Sequence, residues 1–237
     1  MVIDAHIHYT PPEMVKELAE YAEREPYWGL LITPDPVNHT VQGWATTGRM
    51  LADMDRAGID KVVLLTVYRS SPEICREAND ETIAVVQQHP DRVVGFCVFH
   101  PKPYQRAIDE IKRCVDAGLV GVGELNPYAQ GLRLDDPDFL KVVEAMIDLQ
   151  LPMNLHVSEE VGHYYLGKTA TPMLHYYQLA CRFPELKLIL AHWGGGLLFF
   201  EIMPEVRRDL RNVYYDTAGS PLLYPTDAIF RLALSAV

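Results

Sequence analysis

The sequence predicts an α/β fold, a TIM-like (β/α)8 barrel that stops after its seventh βα unit. Three observations predict it: seven short apolar runs, amphipathic stretches with helical spacing between them, and metal-capable residues at the ends of the runs. Near-continuous apolar strands alternating with amphipathic helices mark a parallel sheet covered by helices on its outer face. At 237 residues and 49% apolar content the chain suits a single domain, 1–237, because barrels often occupy about 200 to 250 residues.

The first run, Val2 to Ile7, leads into His6-Ile7-His8. Side chains alternate along a strand, so His6 and His8 share a face about 6 to 7 Å apart along the backbone, a gap one divalent ion can bridge. By itself this tripeptide fits two solvated histidines equally well. The segment Tyr21 to Gly43, an insertion at about residues 21–45, is rich in Pro, aromatic residues and acids. It follows the first strand on the histidine side, where barrel loops build the active face, and is read as a lid or substrate wall, or else as a plain surface insertion. A helix with Met50, Leu51 and Met54 inward ends at Gly58, and the second strand is Val62 to Val67. The third, Val93 to Phe99, precedes a helix carrying Ile108, Ile111 and Val115 and capped by Gly118. Val120 to Leu125, Met153 to Val157, Leu186 to Ala191 and Val213 to Tyr215 complete the strands, and a last helix spans Thr226 to Ala236. An open doubly wound sheet would alternate in the same way, but its first turn would carry a glycine-rich phosphate fingerprint where this chain has histidines.

The net charge of −11 argues against nucleic acid or an anionic membrane as the partner. Cys75, Cys97, Cys114 and Cys181 have no C-x-x-C spacing and read as buried free thiols. No apolar window is long enough for a span and no secretory leader is evident, so a cytoplasmic protein is expected. Self-association into a homo-oligomer is left open.

At the C-terminal ends of the proposed strands stand His6 and His8, then Glu124, His156 and His192. Parallel barrel strands deliver these ends to one mouth, so residues distant in sequence can converge on one ion. His39, His89, His163 and His175 fall in loops or helix ends and read as structural or solvent-facing; His100, just before Pro101, is ambiguous. Arg69, Tyr128 and Lys102 follow strands and are candidates for contact with substrate, although Arg69 could equally pair with an acid. Gly194-Gly195-Gly196 could offer backbone N–H groups to an anion, but a tight turn allowing close packing is the simpler reading.

Ile3-Asp4-Ala5-His6-Ile7-His8, Gly121-Val122-Gly123-Glu124, Asn154-Leu155-His156, Leu190-Ala191-His192-Trp193-Gly194-Gly195 and Asn212-Val213-Tyr214-Tyr215-Asp216-Thr217 resemble the amidohydrolase superfamily. The nearer likeness is to its amidohydrolase-related, dihydroorotase-like and aminocarboxymuconate-semialdehyde-decarboxylase-like branch. The resemblance implies a barrel in which the strand 1 pair, the strand 5 histidine and a strand 8 aspartate bind a catalytic metal, with the strand 6 histidine nearby as a second-metal ligand or electrophile. It implies metal roles for His6, His8, Glu124, His156 and His192, with Glu124 resembling the bridging carboxylate of two-metal members. The strand 8 aspartate has no counterpart before Val237. Asp216 belongs to strand 7 by order and reads as a structural carboxylate hydrogen-bonded near the mouth. A truncated barrel is expected to be weakly stable and poorly active.

The expected cofactor is one or two divalent ions; zinc is the first choice, although the same donors hold other divalent metals and identity rests on supply and geometry rather than ligand type. Such an ion lowers the pKa of bound water to about 7 and polarises a carbonyl. His192 would then stabilise an oxyanion, while the proton-shuttling role is unassigned. The main expectation is a metal-dependent hydrolase of C–N or C–O bonds in a small carbonyl compound. The alternatives are a non-oxidative decarboxylase or hydratase of the same branch, or a non-catalytic metal-binding barrel.

Overall fold

The computed structural model describes residues 1–8, 16–32, 46–165 and 167–236. His39 and the Pro34-Asp35-Pro36 part of the insertion lie outside the described residues. Strand β1 (Ile3–Ile7) is followed by short helices α1 (Leu18–Arg24) and α2 (Pro26–Ile32), so the described part of the insertion is helical. Then come α3 (Thr47–Ala57), β2 (Lys61–Leu65), α4 (Pro72–Gln88), β3 (Val93–Phe96), α5 (Tyr104–Asp116), β4 (Val122–Leu125) and α6 (Pro137–Asp148). The remainder is β5 (Met153–Leu155), α7 (Met173–Arg182), β6 (Leu188–Leu190), tight 3-10 turns over His192–Ile202, α8 (Pro204–Asp209), β7 (Val213–Tyr215), α9 (Ser220–Leu223) and α10 (Thr226–Ala236).

Local signals start and stop these helices, and the stop at Gly58 is the one the sequence predicts. The Thr46 and Ser71 hydroxyls accept the Arg49 and Ile74 backbone N–H groups at the starts of α3 and α4. Gly58, at φ 70°, closes α3 in the left-handed conformation that favours glycine.

All strand pairs are parallel and in sequence order, β1-β2-β3 and β4-β5-β6-β7, and a Cys97–Val122 bridge joins the two groups. Laid flat, seven strands would separate β1 from β7 by about 29 Å, at roughly 4.8 Å per strand. Instead His6 Nδ1 lies 2.8 Å from Asp216 Oδ2 beyond β7. The sheet therefore curls round on itself, although no backbone ladder pairs β7 with β1 among the described residues.

The core lies between the sheet and its helices, with Phe139, Val142, Val143 and Met146 of α6 packed with Met153, Leu155, Leu188 and Leu190. Two expectations are corrected here. The first and seventh strands are not buried throughout: Ile3 is 46% and Tyr214 55% exposed, because each strand has a neighbour on one side only. Cys181 is exposed, whereas Cys75, Cys97 and Cys114 are buried free thiols as expected.

Candidate metal centre

The strand ends bring all five predicted ligands together. His6 lies in β1 and His8 just past it; Glu124 lies in β4; His156 and His192 follow β5 and β6. Gly123 makes this possible, since at φ +134° a Cβ would stand 2.6 Å from the Asn154 carbonyl oxygen. Only glycine lets β4 press this closely on β5 and present Glu124 to the mouth. After β6, His192, Trp193 and Gly194 to Gly196 all have positive φ. A Cβ on Gly195 would lie 2.6 Å from the Ser158 carbonyl oxygen, so the glycine run serves close packing, the simpler of the two readings.

The cluster forms two overlapping triads, His6/His8/Glu124 and Glu124/His156/His192, each with ligand atoms within 4.8 Å of one another. The tautomers follow from the outer hydrogen bonds. His8 Nδ1 lies 3.1 Å from the Leu65 carbonyl and His6 Nδ1 2.8 Å from the Asp216 carboxylate; neither oxygen carries a proton, so both Nδ1 atoms donate. In neutral rings both Nε2 atoms are then bare lone pairs. They face one another at 3.0 Å, with Glu124 Oε2 3.1 Å from His8 Nε2 and 3.8 Å from His6 Nε2. With both rings neutral, three acceptors turn on one point with no donor between them; a proton on the raised His6 or a metal cation satisfies them, and two imidazoles plus a carboxylate are a donor set for a divalent metal.

The second triad is arranged differently. His192 Nδ1 donates to the Ala218 carbonyl at 2.8 Å, so its Nε2, 3.3 Å from His156 Nδ1 and 3.5 Å from Glu124 Oε1, is the nitrogen that carries the proton when the ring is charged and is bare when it is neutral. His156 Nδ1 lies 2.8 Å from Glu124 Oε1, and its Nε2 lies 3.3 Å from Ser158 Oγ. Ser158 Oγ already accepts from the Thr169 N–H at 3.0 Å, so its own proton is free for His156 Nε2. His156 can therefore donate through Nδ1 to Glu124 and satisfy this half without an ion. A metal here requires the other His156 tautomer.

Asp216 is a hydrogen-bonded carboxylate near the mouth, as the sequence reading has it. Oδ2 accepts from His6 and from Asn154 Nδ2 at 3.0 Å, and Oδ1 accepts from the backbone N–H groups of His192 and Ala218 at 3.0 and 3.2 Å. It thus orients His6 and anchors the turn carrying His192, the carboxylate–histidine–metal arrangement that fixes a ligand ring. Burial favours a protonated Asp216, but the charges of His6 and His192 and these hydrogen bonds hold it below its ordinary pKa. Burial also opposes ionisation of Glu124, yet His156 and His6 hold it well below the usual range. His6 is raised: burial lowers it, and Asp216 and Glu124 outweigh that. In His192 the same opposition, with Glu124 dominant on the raising side, brings the pKa to about 9.

Around the centre, Tyr27 packs tilted against Tyr68 at 5.9 Å between ring centroids and edge-to-face against Tyr128 at 6.2 Å, forming an aromatic wall. Tyr128 is 55% exposed and Arg69 is buried. Arg69 pairs with no acid among the described residues; its Nη1 donates to the carbonyls of Val67 and Tyr68 at 2.8 and 3.0 Å. Lys102, the third residue read as a substrate contact, has its Nζ 2.9 Å from Asp136. His100 turns back to the Lys102 carbonyl at 3.0 Å, outside both triads. His163 and His175 are exposed and His89 ends α4, as anticipated. Sequence reasoning assigned no role to Asn154, Ser158 or Asn126. Asn154 and Asn126 each stand two positions from a candidate ligand, a spacing that could have flagged them.

Among relatives, the chain is 27% identical over 173 residues to the 2-amino-3-carboxymuconate-6-semialdehyde decarboxylase of Dictyostelium discoideum, covering 63% of this chain and 48% of that protein. It thus spans about half that relative's length; gamma-resorcylate decarboxylases are also among the relatives. The structure superposes on 5-carboxyvanillate decarboxylase from Sphingomonas paucimobilis with a TM-score of 0.74 at 20% identity, covering 99% of this chain and 84% of that one. It also matches the Novosphingobium aromaticivorans 5-carboxyvanillate decarboxylase complexed with manganese and 4-hydroxy-3-methoxy-5-nitrobenzoic acid, with a TM-score of 0.66 at 19% identity, covering 89% and 70% of the two chains. These likenesses establish the shared fold. With a family model described as Amidohydrolase matching residues 3–234, the chain belongs to the amidohydrolase family.

Proposed function

We propose that this chain catalyses metal-dependent, non-oxidative decarboxylation of a small aromatic or unsaturated carboxylic acid. The observation that carries this is the convergence of His6 Nε2, His8 Nε2 and Glu124 Oε2 on one point, in a chain whose relatives bear decarboxylase names. This replaces the hydrolase reading as the first choice. The bond between the ring or vinyl carbon and the carboxylate breaks, carbon dioxide leaves, and the electron pair left on carbon takes a proton.

When bound, a divalent ion supplies positive charge that holds and polarises the acid's oxygens. His6 and His8 would hold it through Nε2, oriented by Asp216 and the Leu65 carbonyl, with Glu124 as the third donor. His192 presents Nε2 towards the same point and is suited to hold the proton that the carbon receives or to steady an oxyanion. Tyr128 and the Tyr27/Tyr68 wall would flank a planar substrate. Manganese and zinc both suit this donor set.

The test is to load the chain with manganese or zinc, measure metal content by elemental analysis, and assay carbon dioxide release from a panel of hydroxylated and carboxylated benzoic acids. Metal-dependent release that disappears in the His6→Ala/His8→Ala variant is expected. A loaded protein that releases none and turns over lactones or amides would overturn the reading. That second, hydrolytic reading is favoured by one observation, the membership of Glu124 in both triads, which fits a two-ion centre that activates water.

A further inference from the structure

Beside the metal centre, three buried N–H donors have no hydrogen-bond partner: Arg69 Nε, Asn126 Nδ2 and Trp28 Nε1. They belong to one cluster. The Arg69 guanidinium carbon lies 5.4 Å from the Trp28 ring centroid. Gln130 ties Arg69 to Asn126, donating through Nε2 to the Arg69 carbonyl at 3.3 Å and accepting the Asn126 backbone N–H at 3.1 Å. Asn126 Oδ1 is already taken by the Ala129 N–H at 3.1 Å, which fixes the amide and leaves Nδ2 as its free end.

Buried polar groups are almost always paired, and a buried guanidinium cannot shed its charge. Arg69 is only 4% exposed, yet no carboxylate pairs with it among the described residues. Glu25, buried against the next residue, is spent on the Ser70 N–H and hydroxyl at 3.0, 3.1 and 2.9 Å. An unpaired buried cation flanked by two unpaired neutral donors is costly in the free protein and complementary to an anion. The cluster borders the metal centre: Asn126 stands two residues after Glu124, and Trp28 packs with Tyr68 and Tyr27 of the aromatic wall.

We propose that Arg69, Asn126 and Trp28 form a second substrate subsite that receives a carboxylate or other anionic oxygen remote from the reacting carboxylate. The acid taken by this chain then carries two such groups. The inference deepens the decarboxylase reading and rests on it for the identity of the reacting group.

The test is isothermal titration of the metal-loaded full chain with isophthalate and with benzoate, which differ only in the second carboxylate. Isophthalate is expected to bind about tenfold tighter or more, as hydrogen bonds to a charged group allow. Arg69→Gln should abolish that preference while leaving benzoate affinity and metal content unchanged. Asn126→Asp keeps the acceptor for Ala129 and replaces the free donor by a carboxylate, so it should also remove the preference; it decides the matter where Arg69→Gln does not fold. Trp28→Phe keeps the ring under Arg69 and should cost less. Equal affinity for the two acids, no binding of isophthalate, or an equal loss for both acids in the variants overturns the subsite. Absence of carbon dioxide release with the preference intact would instead defeat the catalytic reading and leave the subsite standing.

Discussion

His6 and His8 on one side of the centre and His156 and His192 on the other use the same side-chain chemistry around the same carboxylate, yet their protons are placed differently. On the β1 side both outer nitrogens are committed, to Asp216 and to the Leu65 carbonyl, and the inner nitrogens confront each other bare at 3.0 Å. On the β5 and β6 side a single imidazole, His156, can donate to Glu124 and accept a hydrogen bond from the Ser158 hydroxyl, so that half can satisfy itself. The lesson is that residue type does not rank metal ligands; the partner of the opposite ring nitrogen does. The β1 side is preorganised for a cation and the other side must first change tautomer.

The comparison is broken most decisively by removing ligands from each side. His6→Ala/His8→Ala should leave no stoichiometric metal by inductively coupled plasma mass spectrometry. His156→Ala should retain the first equivalent and lose any second, and His175→Ala should match the parent. Equal metal content in the His6/His8 and His156 variants would end the distinction. A step down in effect, Asp216→Asn removes the acceptor that fixes His6 and should weaken the first ion by about 10–100-fold, read by competition with a chelating dye. Ser158→Ala acts on the other side alone: it frees His156 Nε2, and a change of a few-fold is expected for a second ion with none for the first.

The smallest effect is on stability against pH. His192, raised from 6.5 to about 9, contributes stability that is fully present below pH 6.5 and lost as pH climbs towards 9. Asp216 and Glu124, both depressed, contribute stability present above the ordinary carboxylate range and lost on acidification. The metal-free chain should therefore melt highest between about pH 5 and 6.5. Metal binding displaces protons, so the stabilisation by bound metal should widen from pH 6.5 to 9. Thermal melts across that range with and without chelator check this, and a metal-free melting temperature that rises with alkalinity would contradict it.

Much of the fold is legible along the chain because burial imposes it locally. The seven apolar runs are the seven strands, and the last helix spans Thr226–Ala236 as the apolar spacing predicts. Strand ends are less legible. The run Val93 to Phe99 stops as a strand at Phe96, and the Val98 N–H goes to the Asn79 side chain of α4 at 2.8 Å. Hydropathy records that Val98 is buried, but not which acceptor its backbone meets.

The sequence by itself determined the alternation of strands and helices and placed the five candidate ligands at strand ends, because both follow from side-chain type at strand spacing and from the common direction of parallel strands. Only the tertiary structure decided how those ligands are protonated and which neighbours are left unpaired. Leu65, Ala218 and Asp216 reach the three rings from positions 57, 26 and 210 residues away in the chain. The unpaired donors of Arg69, Asn126 and Trp28 arise where α2, β2 and β4 meet. Such groupings come from the curl of the sheet, which no local pattern of residues encodes.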